Sequence, residues 1–286
     1  MNRSTTANRL TTANHDRDAV GMRYVYPVIS RRAGGVSVGI NLNPNNACNW
    51  HCAYCQVPDL QRGVAPEIDL DLLHSELTTL LDWLLHGDFM VERVPEASRR
   101  ISDLALSGNG EPTSCRDFDQ VIELLCTVMQ AAELQRPLRL ITNGSYLQRP
   151  AVQRGLTQMA AHDGEVWLKV DAVDAAAVRR INGVSLDAHF LRARVEASVA
   201  CCPTWIQTCM VAWDGEPPAD AELDAYLDFL HALRRDGIAL RGVLLYGLAR
   251  PSQQPEAVHV APLPQVWMEG FADRIRQLGW SVTLSI

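Results

Sequence analysis

Apolar and polar positions alternate along the chain in two rhythms. Short runs rich in β-branched and aliphatic residues lie at 36–41, 101–106, 138–142, 166–170, 206–212 and 239–246. Between them are longer stretches whose apolar residues recur at i, i+3 and i+4, the period of a helix that hides one face. These predict helices over 70–85, 118–133, 151–161, 174–181, 187–200, 219–235 and 264–278. The first is the clearest. Leu70, Leu73, Leu77, Leu80, Leu81 and Leu84 share one side, Asp69 or Asp71 is placed to cap it, and Gly87 to end it. No repeat of 20–50 residues is visible.

Strands that alternate with helices of this length predict βα units and a parallel sheet. Six such units make an α/β fold, either a doubly wound sheet or a full or partial barrel. Both put their chemistry at the carboxyl ends of the strands. The polar, Thr/Asn/Arg-rich residues 1–25 read as a mobile N-terminal tail. Residues 26–286 read as one domain, with a C-terminal extension after about residue 250.

Composition narrows the class. With 286 residues, 47% hydrophobic and 21% charged, the chain is neither disordered nor fibrous. No apolar run reaches the roughly 18 residues that span a bilayer. The start lacks the apolar segment of a signal peptide, and Arg31-Arg32 is followed by Ala-Gly-Gly, which speaks against twin-arginine export. A cytoplasmic protein is expected. A net charge of −7 argues against a nucleic-acid partner but leaves RNA open. In a reducing compartment the eight cysteines are metal ligands, catalytic groups or core residues sooner than disulfides.

The first predicted strand leads into Cys48-Asn-Trp-His-Cys52-Ala-Tyr54-Cys55. Three thiolates on one tight loop hold three corners of a metal centre and leave one open. A closed zinc site needs four ligands, and His51, next to Cys52, is badly placed to supply the last. A [4Fe–4S] cluster with three protein ligands fits better; three buried thiols or an incomplete zinc knuckle are the plainer alternatives. The second strand leads into Ser107-Gly108-Asn109-Gly110-Glu111-Pro-Thr113. Its glycines let backbone approach a ligand, and its carboxylate suits an ammonium group, although such a run alone is most often a turn. The third ends in Thr142-Asn143-Gly144, which reads equally as a plain loop.

The fourth strand places Trp167, Lys169 and Asp171 on one face and Val166, Leu168 and Val170 on the other. The apolar face packs on helices, so the charged one points inward, where an unpaired charge is expensive. A polar ligand cavity is implied. Lys169 is the only lysine among 26 Lys and Arg positions. Its compact ammonium donates differently from a planar guanidinium, so arginine does not stand in for it, and a Schiff base would need a depressed pKa. The fifth strand carries Gln207 and Cys209 on one face, preceded by Cys201-Cys202. These cysteines are second-cluster ligands, a relay thiol or ordinary core; Cys115 and Cys126 read as core. After the sixth strand, Tyr246 and Arg250 either contact substrate or are a packed aromatic and a surface charge.

Cys48, Cys52 and Cys55, with Tyr54 before the last, resemble the signature of the radical S-adenosylmethionine (radical SAM) enzymes. The Gly108–Glu111 and Thr-Asn143-Gly runs follow in that family's order, and the likeness covers roughly 36–250. It implies a partial (β/α)6 TIM-like barrel of parallel strands. It further implies a [4Fe–4S] cluster on Cys48, Cys52 and Cys55, with SAM at the open iron. Tyr54 would lie near the adenine. Gly108, Asn109, Gly110 and Glu111 would hold the amino group, with Asn143, Lys169 and Asp171 completing the pocket. Lys169, Asp171 and Cys209 are the candidate catalytic residues. An external one-electron donor such as flavodoxin or ferredoxin is implied, with a substrate still unidentified. The motif style is most similar to the wyosine-base synthase branch, whose members modify transfer RNA. Yet the chain has no cysteine before Cys48 and no lysine before Lys169, where that branch carries a second cluster and a pyruvate-capturing lysine. A non-catalytic iron–sulfur carrier or sensor is the alternative outside the family.

Overall fold

Eight strands lie side by side in the order in which the chain makes them: β1 (Val25–Ser30), β2 (Gly35–Ile40), β3 (Ile101–Leu106), β4 (Leu138–Thr142), β5 (Glu165–Lys169), β6 (Thr204–Met210), β7 (Leu240–Gly247) and β8 (Val282–Ser285). This computed structural model describes residues 9–12, 17, 19–30 and 34–286; Arg31-Arg32 lies outside them. β1 runs antiparallel to β2, and every later neighbour is parallel. The outer strands do not pair with each other, so the curled sheet is an open half-barrel. Among the described residues seven longer helices connect it: α1 (Leu70–Leu85), α2 (Phe118–Ala131), α3 (Pro150–Ala161), α4 (Ala175–Asn182), α5 (Ala188–Val199), α6 (Asp220–Arg235) and α7 (Gln265–Gln277), with a short helical turn at Phe89–Arg93 after α1. None among the described residues is long and apolar enough to cross a membrane.

The alternation of side chains along each strand separates core from site. Val36, Val38, Ile40, Leu104, Leu106, Leu138, Leu140, Val166, Leu168, Ile206, Val243 and Leu245 are wholly buried on the helix side. Their neighbours Ser37, Asp103, Arg139, Trp167, Lys169 and Tyr246 face the hollow. The helices start as the sequence indicates: the Asp69 carboxylate accepts from Leu72 N at 2.9 Å, and that of Asp174 from Ala176 N and Ala177 N.

The six expected parallel strands are β2 to β7, and both edges add to them. β1 carries Pro27, which lacks a donor and so is tolerated on an edge strand. Tyr24 and Leu10 are buried as well, so the core takes in residues ahead of 26. The part after 250 is no appendage. Helix α7 packs against α6, and β8 pairs with β7, forming a further βα unit of the same sheet. The expected strand 206–212 ends at Met210; Ala212-Trp213 instead pairs antiparallel with Val260-Ala261. That clasp joins the loops following β6 and β7.

Candidate functional site

The cysteine loop is held from both sides through hydrogen bonds to its own backbone. His51 N and Ala53 N donate to the last carbonyls of α4, Asn182 O at 3.1 Å and Ile181 O at 2.8 Å. Gly183 ends α4 in the left-handed region (φ 65°), and a Cβ there would lie 2.6 Å from His51 O. From the other side, Ser252 Oγ donates to Ala53 O at 2.7 Å, Gln253 N to Cys55 O at 2.8 Å, and Gln254 Nε2 to Val57 O at 2.7 Å. The loop therefore presents its three sulfurs from a fixed frame, although its own sequence has little regular structure. Cys52 is buried, while Cys48 and Cys55 are half-buried.

The Gly108–Glu111 turn packs onto that loop. Gly108 sits at φ 154°, and a Cβ would meet Asn41 Oδ1 at 2.3 Å; one on Gly110 would lie 2.0 Å from Ala47 O. Both glycines are thus required by the segment that leads from β2 into the cysteine loop, a closer constraint than the ligand approach expected from sequence. Asn41 Oδ1 accepts from Asn43 N and Asn109 N, and Asn43 Nδ2 donates to Ala47 O. The Asn109 side chain donates to Asn46 Oδ1 at 2.6 Å and accepts from Arg17. Glu111 is buried and accepts from Thr113 N, Thr113 Oγ1, Thr142 Oγ1 and Asn143 N. Burial pushes its carboxyl up, and these donors oppose the rise only in part. It ties the end of β3 to the end of β4, where Asn143 Nδ2 donates to Asn49 Oδ1 at 2.9 Å.

On the opposite wall Lys169 Nζ donates to Tyr54 Oη at 2.5 Å and lies 3.5 Å from Tyr246 Oη. Tyr54 Oη donates to Asp171, whose carboxylate also accepts from Asn182 Nδ2 at 2.7 Å and Cys209 N at 2.8 Å. Lys169 Nζ and Asp171 Oδ2 are 3.6 Å apart. Burial alone would lower the Lys169 ammonium, but Asp171, Tyr246, Cys52 and Cys209 together outweigh it and hold the group well above the usual lysine range. A lysine kept charged is a hydrogen-bond donor, not a Schiff-base nucleophile.

Cys48, Cys52, Cys55, Tyr54, Gly108, Asn109, Gly110, Glu111, Asn143, Lys169 and Cys209 all line one cavity of about 310 Å³ at the carboxyl ends of the strands. Tyr246 and Arg250 line it too, as do Arg17 and Tyr26, which carry no signal in the sequence. Asp171 is the exception to the expected pocket. Its side chain is sealed behind Tyr54 and Cys209 and borders a second cavity of about 220 Å³, so it positions the wall without forming it. The second-cluster reading of Cys201, Cys202 and Cys209 does not survive either. Cys202 precedes β6 and Cys209 lies near its far end, about 23 Å away at strand rise.

The donor set fits an iron–sulfur cluster. Burial pushes Cys48 up to about 11 and Cys52 to about 12, and raises Cys55 as well, so the thiolates form only when cationic metal shares the loop. Among the described residues, no three His, Cys, Asp or Glu side chains converge closely enough to hold a single metal ion. Three soft sulfur donors on one loop suit an iron–sulfur cluster with one open iron.

Fold and site together define an open, mostly parallel α/β half-barrel with a soft-donor loop at the carboxyl end of its first parallel strand. No known family profile matches the chain. It is 26% identical over 130 residues to the GTPase Obg of Brachyspira hyodysenteriae, covering 46% of this chain and 17% of that protein. It is 29% identical over 157 residues to UPF0026 protein MJ1312 of Methanocaldococcus jannaschii, covering 54% and 42%. The chain thus spans less than half of either relative. Its single lysine does not follow a glycine, so it lacks the Gly-Lys-Ser/Thr phosphate loop. Among solved structures it resembles Streptococcus suis SuiB bound to its precursor peptide SuiA, at TM-score 0.57 and 11% identity over 88% of this chain and 49% of that one. SuiB bound to S-adenosylmethionine superposes at TM-score 0.53 and 11% identity, over 88% and 47%. A radical SAM methyltransferase from Sphaerobacter thermophilus matches at TM-score 0.57 and 13% identity, over 87% and 66%.

Proposed function

We propose that the chain is a radical SAM enzyme, with Cys48, Cys52 and Cys55 holding a [4Fe–4S] cluster and S-adenosylmethionine bound beside it in the cavity. One observation carries this reading: the cysteine loop, the Gly108–Glu111 turn and the sole lysine meet in a single cavity at the carboxyl end of a parallel half-barrel. The SAM-bound SuiB structure of the same fold supports it. Bound there, the pair supplies reductive cleavage of SAM to methionine and a 5′-deoxyadenosyl radical, the electron coming from a flavodoxin- or ferredoxin-like donor. The substrate is a molecule with an abstractable hydrogen.

The chain's own groups bind and orient. The Glu111 carboxylate, fixed by its four donors, meets an ammonium without needing to reorganise. The Lys169 ammonium, braced by Tyr54 and Asp171, donates to a carboxylate or hydroxyl. The loop after β7, with Ser252 and Gln254, covers the carbonyls of the cysteine loop and keeps water off that side.

Anaerobically reconstituted protein, reduced with dithionite and given SAM, is expected to release 5′-deoxyadenosine. Lys169→Met is expected to weaken SAM binding about 10- to 100-fold, the worth of a charge-assisted hydrogen bond. Fully reconstituted protein that neither binds nor cleaves SAM would instead be an iron–sulfur carrier.

A further inference from the structure

Deeper in the hollow lies a second group of charges, which the cysteine loop and its neighbours do not use. Asp103 on β3, Arg139 on β4 and Trp167 on β5 line the same cavity, and Glu165 joins them at the start of β5. In the register of the sheet Asp103 stands opposite Ser37, and Arg139 opposite Glu165. The group therefore sits toward the amino ends of the strands. Asp103 precedes Ser107, which follows the end of β3, by four residues, about 13 Å at strand rise. It is a floor beneath the site, apart from Glu111.

Both oxygens of Glu165 have donors. Oε1 accepts from Arg139 Nε at 2.7 Å and Trp167 Nε1 at 3.0 Å, and Oε2 accepts from Trp205 Nε1 at 3.0 Å. Asp103 differs. Its Oδ2 accepts from Arg139 Nη1, whereas its Oδ1 is buried and meets no donor among the described residues. Only 3% of the side chain is exposed. A buried carboxylate oxygen without a donor is costly, so the hollow has to supply one.

The charges say what kind. One guanidinium stands between two carboxylates, which formally leaves the group one negative charge in excess. Water brings a donor but no charge. An anion would meet two carboxylates against one arginine whose Nε and Nη1 are already engaged. A cation bearing N–H groups answers both demands in one charge-assisted hydrogen bond. The aromatic rings of Trp167 and Tyr26 line the same cavity and favour a cation over an anion.

We propose that Asp103 anchors a cationic nitrogen of a small-molecule substrate, an ammonium or guanidinium group, with Arg139 holding the carboxylate in place. This rests on the radical SAM reading and narrows the substrate to an amine- or guanidine-bearing molecule. A cavity of about 310 Å³ is sized for a small molecule. Anchored at the floor, that molecule extends toward the strand ends, where the same reading puts SAM.

The test uses reconstituted protein saturated with SAM and left oxidised, so that no SAM is cleaved. Saturation-transfer NMR measures the binding of methylguanidine, of its neutral counterpart N-methylurea, and of acetate. Methylguanidine is expected to bind about tenfold more tightly than N-methylurea, and acetate not to bind. Asp103→Asn, which keeps the shape and removes the charge, is expected to weaken methylguanidine about tenfold. Ala105→Leu, two residues further along the cavity face of β3, fills the space above Asp103 without altering charge and is expected to weaken it as well. Equal binding of methylguanidine and N-methylurea overturns the proposal. So does tighter binding of acetate, or an unchanged methylguanidine affinity in whichever of the two variants folds. Protein that takes up iron but binds no SAM defeats the radical SAM reading instead, a result read independently of methylguanidine.

Discussion

Asp171 lies where water does not reach, with Tyr54, Asn182, the Cys209 amide and Lys169 around it. Removing one partner of a buried pair leaves the other uncompensated, which costs more than the pair itself contributes. Asp171→Asn is therefore expected to lower the unfolding free energy of the metal-free protein by about 3–5 kcal/mol in a urea titration. A loss within error of zero would mean that solvent reaches Lys169. The three cysteines and the lone lysine were legible because their chemistry is scarce and their spacing carries meaning. The place of Asp171 was not, because alternation along a strand tells which face a side chain is on, not how deep it lies. Asn41, Asn43 and Asn182 left no usable trace, since asparagine is also what ordinary loops are made of.

At the scale of elements, the cysteine loop is held by the end of α4 and by the Gly108–Glu111 turn. Gly110→Ala would set a methyl group 2.0 Å from the Ala47 carbonyl, which is backbone and cannot swing away. The expected outcome is a folded protein, by circular dichroism, that takes up less than about half the iron on reconstitution. Gly270, on α7, has open space around it, with nothing within 4 Å of where a Cβ would stand. Gly270→Ala is expected to stabilise the chain by about 0.5–1 kcal/mol and to leave iron uptake alone. The helices and six inner strands were legible because apolar periodicity records burial. The edges were not: Pro27 masks β1, and the four residues of β8 are too few to show a period.

For the whole molecule, alternating strands and helices narrow the architecture to two, and the family resemblance selects the partial barrel that the sheet forms. That shape has a physical consequence. Curling turns the polar faces of β3 to β7 toward one hollow, so groups far apart in sequence surround a common volume. The first experiment is anaerobic reconstitution, with iron and sulfide counted per chain and the reduced protein measured by EPR with and without SAM. About four irons and four sulfides are expected, lost on substitution of Cys52, with a reduced signal that SAM alters. A single tightly held zinc, no iron, or a cluster signal indifferent to SAM would contradict the radical SAM reading.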